Sequence, residues 1–288
     1  MGPSKGQNRS PAQRDATTFE RLSTVEDRVG VAQVVERLGL WQRAAPAGGR
    51  PRVLLNMIAT ADGRATIGGR SGPLSGAADR ALFHGLRSAV DAVLVGSGTV
   101  RTERYGRIVP DPAVRAERQR RGLSDEPLAC IVSGRLALAA DLPLLAEAEA
   151  RVAILTASAD SLPPCPAHVD YVRAARGDAL DLTTALAELR GRFDVRSLLC
   201  EGGPHLACQL LAAGLLDELF LSLSPRLAGG ESAGGQALRI LAGAELQPPV
   251  ELELLDALRS DSDLFLHYRV LAPARVSRET IASSSLAR

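Results

Sequence analysis

The sequence predicts an α/β fold: a mainly parallel central sheet with helices on both faces and an antiparallel hairpin at the C-terminal end. Three observations carry this. Apolar runs rich in Val, Leu and Ile alternate with segments of helical period from residue 53 onward, the pattern of strands buried on both faces. Glycine-bearing turns, Thr60–Gly63, Gly96–Thr99 and Glu201–Pro204, follow three of the strands, at the carboxyl ends where open parallel sheets gather ligands. The chain then closes with β-rich runs on either side of Ser260-Asp261-Ser262, a hairpin signal.

Taken in order, residues 1–17 are polar, with Gly, Pro, Ser and Arg, and are expected to be disordered. Residues 18–50 read as a short helical extension and linker. Ser23 and Glu26 form a capping-box pattern ahead of Val31, Val34, Val35 and Leu38 at helical spacing, the helix ending near Trp41, with a linker over 44–50. The main domain spans 51–272, and 273–288 form a flexible tail. Within the domain, strands are expected at 53–59, 92–96, 128–133, 152–156, 169–172 and 198–200. Helices are expected at 77–87, opening at Ser75, and at 182–190 and 204–213. Strand-like runs at 218–224, 251–258 and 264–271 complete the chain.

Composition narrows the function classes. Of 288 residues 45% are hydrophobic and 23% charged, which suits a soluble globular protein. Aromatics are only 3%, so the core is built from aliphatic side chains. No apolar run approaches ~18 residues, so no membrane span is expected. The N-terminus lacks the apolar core of a secretory signal, which points to the cytoplasm. Net charge is +1 with both signs interspersed, not the footprint of a nucleic-acid binder. The basic run Arg115–Arg121 reads as a solvated helix face. Cys130 and Cys200 sit in apolar strands as small hydrophobes. Neither a Cys-x-x-Cys nor a His pair at ligand spacing occurs, so no metal site is expected and the thiols are free.

The glycine turns carry the chemistry. At Glu201-Gly202-Gly203-Pro204 a strand hands over to a helix, bringing bare N–H groups and the positive end of a helix dipole together. This suits a phosphate, although a purely structural turn fits equally. Gly96-Ser97-Gly98-Thr99 offers N–H and O–H donors but lacks the full dinucleotide fingerprint. Asp62-Gly63 is a turn signal whose structural and functional readings stand level. The Gly-rich 67–73 segment is either a mobile surface loop or a cover over a ligand. No nucleophile elbow or P-loop is present. His84 reads as a helix-surface residue, and His205, in the first turn of a helix, as at most a cofactor neighbour.

Five separated motifs in order, Ala59-Thr60-Ala61-Asp62-Gly63-Arg64, Leu86-Arg87 with Asp91–Gly96, Gly98-Thr99-Val100, Glu201–Pro204, and Gly214–Leu219 with Pro225 and Gly229-Gly230, resemble the pyrimidine reductase family of riboflavin biosynthesis. The resemblance runs from about Arg52 to Leu271 and implies a dihydrofolate-reductase-like fold. It implies that NADPH reduces a phosphorylated ribosylamino-pyrimidine, 5-amino-6-(5-phosphoribosylamino)uracil, with hydride passing to C1′ of the sugar, in a homodimer. Carried over by position, Ala59, Ser75, Gly96, Thr99, Ser133, Gly202, Gly203, Pro204, His205 and Leu206 would contact the cofactor. Ser71, Arg87 and Glu201 would contact the substrate, and Asp62 and Glu201 would be catalytic, Asp62 at the junction of nicotinamide and substrate. The chain departs from the family at Glu103-Arg104-Tyr105 (usually Asp-Asp-Pro), at Pro73 (usually Trp) and at Asn56 (commonly Lys). Arg104 and Arg107, or Arg64, Arg70 and Arg101, could then serve the substrate phosphate, since guanidinium binds phosphate in bidentate fashion. The zinc deaminase motif often fused to this reductase is missing. A pteridine- or dihydrofolate-type reductase and a non-catalytic NADPH-binding protein are the alternatives the same fold allows.

Overall fold

The structure, a computed structural model, describes residues 28–43, 48–230 and 238–271. The expectations for residues 1–17, Ser23 and Glu26, and 273–288 fall outside them. Nine strands form one sheet in the order β10-β11-β9-β1-β8-β2-β3-β4-β5. In chain order they are β1 (Arg52–Thr60), β2 (Ala92–Gly96), β3 (Leu128–Val132), β4 (Arg151–Thr156), β5 (His168–Arg173), β8 (Ser197–Cys200), β9 (Glu218–Ser224), β10 (Leu252–Ser260) and β11 (Asp263–Val270). A small separate hairpin pairs β6 (Ala175–Arg176) with β7 (Ala179–Leu180). The strands from β9 through β5 run parallel, and β11 and β10 add the antiparallel end. The closing turn is two residues, Asp261-Ser262, with Asp261 at φ 52°, as a tight hairpin with the sheet's twist requires.

Alternation along the strands sorts the core into two layers. Leu54, Val93, Val95, Ile131, Ile154 and Leu199 face one layer, and Val53, Leu55, Leu94, Cys130, Leu155 and Cys200 the other. The first is covered by α1 (Val31–Arg37), α2 (Ala77–Ala89), α3 (Ser97–Glu103), α4 (Pro112–Arg120) and α5 (Pro143–Ala146). The second is covered by α6 (Leu182–Phe193) and α7 (Pro204–Ala212). Asp181 caps α6 by accepting from the N–H groups of Thr183 (3.0 Å) and Thr184 (3.2 Å), and Asp111 with Pro112 opens α4. Burial pushes the Cys200 thiol up to about 12 and the Cys130 thiol higher still. Both thiols stay protonated inside the sheet.

Several elements differ from expectation. The first helix is only α1, opened by Gly30 with Gln33 reaching back to its N–H (2.8 Å). It packs on α2 at Gly85, where an added Cβ would strike Val31 and lie 3.2 Å from Val35. A turn of helix, α3, occupies the expected 96–99 loop, because Gly96 already acts as its N-cap. The basic run is not wholly solvated: Arg118 is fully buried. Its Nη1 donates to the carbonyls of Ser88 (2.8 Å), Val90 (2.9 Å) and Arg87 (3.3 Å), and its Nε to Ser124 (3.0 Å) and Asp125 (3.1 Å). A cation on one helix thus satisfies the orphan carbonyls ending another. On the last strands, Leu252, Leu254 and Leu264 are 41–46% exposed, forming an apolar sheet face beyond α7. No helix of the described residues is long and apolar enough to cross a membrane.

Candidate active site

A cleft of about 760 Å³ opens at the carboxyl ends of β1, β8 and β2. Asn56, Met57 and Ile58 of β1 form part of its wall, with α2 on one side and the starts of α3 and α7 on the other. It holds two chemically distinct regions.

The first is built of backbone. The Gly96 N–H donates to the Gly202 carbonyl (2.8 Å), drawing the two glycine turns together; the Gly202–Gly203 peptide is cis. Helices α3 and α7 start from Gly96 and Gly203, and neither has a side-chain cap. The first N–H groups of both helices therefore lack a capping side chain. A Cβ on Gly203 would sit 3.0 Å from Thr99 Oγ1, and one on Gly96 would sit 3.5 Å from the Gly203 nitrogen. Gly202, at φ +87° against Met57 Sδ, needs a glycine for its conformation as well as for space. Close-set N–H donors, the dipole of α7 and a threonine hydroxyl fit the diphosphate of a dinucleotide.

The second region is a buried polar triad. Arg87 on α2 makes a bidentate pair with Glu201 at the end of β8, Nε to Oε1 and Nη2 to Oε2, both 2.7 Å. Tyr105 donates its hydroxyl to the same Oε2 (2.7 Å). The Arg87 guanidinium also donates to the Ile108 carbonyl (3.3 Å) and lies over the rings of Phe83 (4.1 Å) and Tyr105 (5.3 Å). Side-chain exposure is 10% for Arg87 and 2% for Glu201. Burial works against the charge on Arg87, but the Glu201 carboxylate outweighs it and holds the guanidinium pKa above its ordinary value. Burial, and then the Glu201 charge, push the Tyr105 phenol well above its ordinary value. Tyr105 is thus a fixed donor and Arg87 a fixed cation.

Of the expected site residues, Ser71, Ser75, Arg87, Gly96, Thr99, Arg104, Glu201, Gly203, Pro204, His205 and Leu206 line this cleft. Gly202 stands behind the lining and contributes its carbonyl to Gly96. Ala59 and Ser133 are buried off the cleft wall, and the Ser133 N–H is taken by the Leu155 carbonyl (3.1 Å). Asp62 is exposed and does not line the cleft. The Thr60 hydroxyl and the N–H groups of Gly229 (2.6 Å) and Ala228 (3.1 Å) donate to its carboxylate. These bonds lower its pKa to about 2, so Asp62 clips the β1 turn to the loop that follows β9. Of the three glycine turns, those at Gly96 and Gly203 line the cleft, and Thr60–Gly63 lies between the lining residues Ile58 and Ala65. Arg107 is drawn off the cleft by Glu126, Glu149 (2.8 Å) and Glu147 (3.7 Å). Ser71 gives its N–H (2.9 Å) and hydroxyl (3.0 Å) to Glu103, an acid at the position where the sequence departs from the family. Sequence reasoning missed Arg80, Phe83 and Tyr105 as cleft residues and placed His84 on the helix surface; all four line the cleft. The spacing of 80, 83, 84 and 87 along one face of α2 was the available signal.

The family model of the RibD C-terminal domain matches residues 51–266. The chain belongs to that family. Among curated relatives, the riboflavin biosynthesis protein RibD of Actinobacillus pleuropneumoniae is 28% identical over 234 residues, 78% of this chain and 58% of that protein. The 2,5-diamino-6-ribosylamino-4(3H)-pyrimidinone 5′-phosphate reductase of Methanothermobacter thermautotrophicus is 28% identical over 231 residues, 77% of this chain and 99% of that protein. The chain thus spans a little over half the Actinobacillus RibD and nearly all of the archaeal reductase. Among solved structures, a pyrimidine reductase-like protein of Corynebacterium diphtheriae superposes with a TM-score of 0.68 at 22% identity, covering 85% of this chain and all of that one. The deaminase/5-amino-6-(5-phosphoribosylamino)uracil reductase of Thermotoga maritima gives 0.60 at 23% identity over 77% of this chain and 57% of that one. At these identities the superpositions speak for the fold, the mostly parallel α/β sheet of the RibD C-terminal domain. Every cleft residue named above lies inside the matched span.

Proposed function

We propose that the protein is an NADPH-dependent reductase of riboflavin biosynthesis, acting on 5-amino-6-(5-phosphoribosylamino)uracil at C1′ of the ribosylamino group. One observation carries the reading. Within the span that matches the RibD C-terminal domain, a glycine-built anion cradle and a buried Arg87–Glu201–Tyr105 triad line the same cleft. The name of the archaeal relative supplies the reaction class, and that of the bacterial relative the pathway.

NADPH, when bound, supplies the hydride. The chain's own groups position both partners. The N–H groups at the starts of α3 and α7, with the Thr99 hydroxyl, hold the diphosphate. Glu201, with three of its roughly four acceptor positions occupied by Arg87 and Tyr105, keeps one for a hydroxyl or N–H of the substrate. It is an orienting carboxylate held in place by those two partners. Met57 and Ile58 on the β1 wall keep water from the reacting carbon. Asp62 acts at one remove, by holding the turn that ends β1. The exposed leucines of β10 and β11 pair two copies into a homodimer.

The test is nicotinamide oxidation by the purified full-length protein, followed by absorbance. The ribosylamino-pyrimidine phosphate is compared with dihydrofolate. Turnover of the pyrimidine alone is expected. Turnover of dihydrofolate alone, or NADPH binding without turnover of either, overturns the proposal.

A further inference from the structure

We infer that Gly85 is a positioning residue for the site: it seats α1 against α2, and the seated α1 sets how far α2 carries Phe83 and Arg87 into the cleft. The inference rests on the function proposed above for its turnover readout, and on the fold alone for the rest.

Gly85 lies inside α2, where only proline is less favourable than glycine. Local structure gains nothing from it there; close approach does. A Cβ at position 85 would strike Val31 Cγ1 and lie 3.2 Å from Val35 Cγ2, so α1 rests on the bare backbone of α2. Direction gives this contact its meaning. At about 100° per residue, positions 83 and 87 each lie about 160° around the helix from position 85. Phe83 and Arg87 line the cleft. Helix α1 therefore stands directly behind the face that α2 turns to the site, while Leu82 and Leu86 are buried in the core.

Helix α1 is itself held firmly. Val34, Val35 and Leu38 are buried in the same core as Leu82, Phe220 and Phe265. Arg52, at the start of β1, donates to the Leu38 carbonyl (2.7 Å). Glu36 pairs with Arg121 just beyond α4 (3.0 Å), and the Arg121 guanidinium lies 4.4 Å from the Trp41 ring. Arg43 pairs with Asp91, just before β2 (3.1 Å), and with Asp194 (3.0 Å). Anchored to β1, to the end of α4 and to the start of β2, α1 forms a fixed stop for α2. This stop lies outside the family match, which begins at residue 51. What it steadies is exacting, because Arg87 meets Glu201 through two bonds of 2.7 Å. A misplacement of about 1 Å in a site group can cost about 100-fold in rate.

The experiment is a four-protein cycle in the full-length chain: parent, G85A, V31A and G85A/V31A. The methyl added in G85A meets Val31 and drives α1 from α2, although alanine is the better helix former. V31A makes room, since the Cβ of residue 31 stands 4.0 Å from the added atom. G85A should lose about 10- to 100-fold in kcat/KM for the ribosylamino-pyrimidine phosphate. Its NADPH affinity should match the parent, because the glycine cradle rests on α3 and α7; this also reports an intact fold. The double variant should recover most of the loss, and V31A should stay near the parent. Trp41, the single tryptophan of the chain, reports the seating of α1: acrylamide should quench it more strongly in G85A than in the parent or the double variant. Parental turnover in G85A, with or without stronger quenching, or a loss that the double variant does not recover, would overturn the inference. A parent that oxidises no NADPH sinks the reductase reading, and the titration of His84 followed by NMR then decides. Burial, then the charge of Arg87, lower the His84 pKa. It should rise toward its ordinary value in G85A and return in the double variant, which keeps Ala at 85; a constant value across all four proteins would overturn the inference.

Discussion

Removing Glu201 should destabilise the protein far more than removing both members of its pair. In Glu201→Leu the Arg87 guanidinium, 10% exposed, loses both 2.7 Å bonds and keeps only the longer one to the Ile108 carbonyl. The Tyr105 hydroxyl loses its acceptor as well. Breaking one side of a buried pair costs about 3–5 kcal/mol. At roughly 2–4 °C per kcal/mol for a chain of this size, the expected drop in Tm is on the order of 10 °C. Arg87→Met should fall comparably, because it strands the carboxylate. The double variant Arg87→Met/Glu201→Leu replaces the pair by apolar side chains, leaves only the Tyr105 hydroxyl without its acceptor, and should return to within about 2 kcal/mol of the parent. Thermal and urea unfolding of the four proteins by circular dichroism closes the cycle. Turnover should stay lost in the double variant, because the fixed carboxylate is gone although the fold is restored. A Glu201→Leu loss below about 1 kcal/mol, the range of a solvent-exposed pair, would refute the buried-pair reasoning. Recovery of turnover with stability would remove Glu201 from the site.

Other outcomes follow from separate features. Gly203→Val places a Cβ 3.0 Å from Thr99 Oγ1, with its methyl groups beside the first turn of α7. Overpacking of about 1–3 kcal/mol should weaken NADPH binding about 10-fold or more, and an unchanged calorimetric Kd would take the glycine turn out of the cofactor site. Despite burial, His267 (2.7 Å) and Arg52 hold the Glu218 carboxyl below its ordinary value of 4.5. The unfolded chain therefore binds more protons below that pH. The stability from Glu218 is full above it and declines as pH falls toward the folded pKa. Glu218→Gln should flatten this acid limb of Tm against pH, and an unaltered limb would show that other groups set it. Leu252→Glu/Leu254→Glu should convert a dimer to a monomer in sedimentation velocity, whereas a monomeric parent would end the dimer proposal.

The sheet and most of its helices were legible because buried strands and amphipathic helices write their periods into the chain. The glycine cradle was legible for a similar reason, as a turn that needs bare backbone has few residues to choose from. Charged side chains were not. Arg118 lies in a run that reads as solvated, and only the arrival of the α2 carbonyls from thirty residues earlier explains its burial. Arg107 looked free to meet a phosphate until Glu126, Glu147 and Glu149 gathered around it. Asp62 shows both kinds of partner: the hydroxyl of Thr60 two residues before it was within reach of local pattern, and the N–H groups of residues 228 and 229 were not. Side-chain fate depends on which distant backbone arrives, and local pattern carries no record of that.

Strand order also sets a schedule. β1, at the centre of the cleft, pairs only with β8 and β9, whose residues follow it by about 145 positions and more. At roughly 5–20 residues per second, β1 leaves the ribosome some 7–30 s before its first neighbour exists. During that interval Arg87 and Thr99 have been made, but Glu201 and Gly203, which complete their parts of the cleft, have not. Until then the apolar run Val53-Leu54-Leu55, fully buried in the finished sheet, has no strand to pair with.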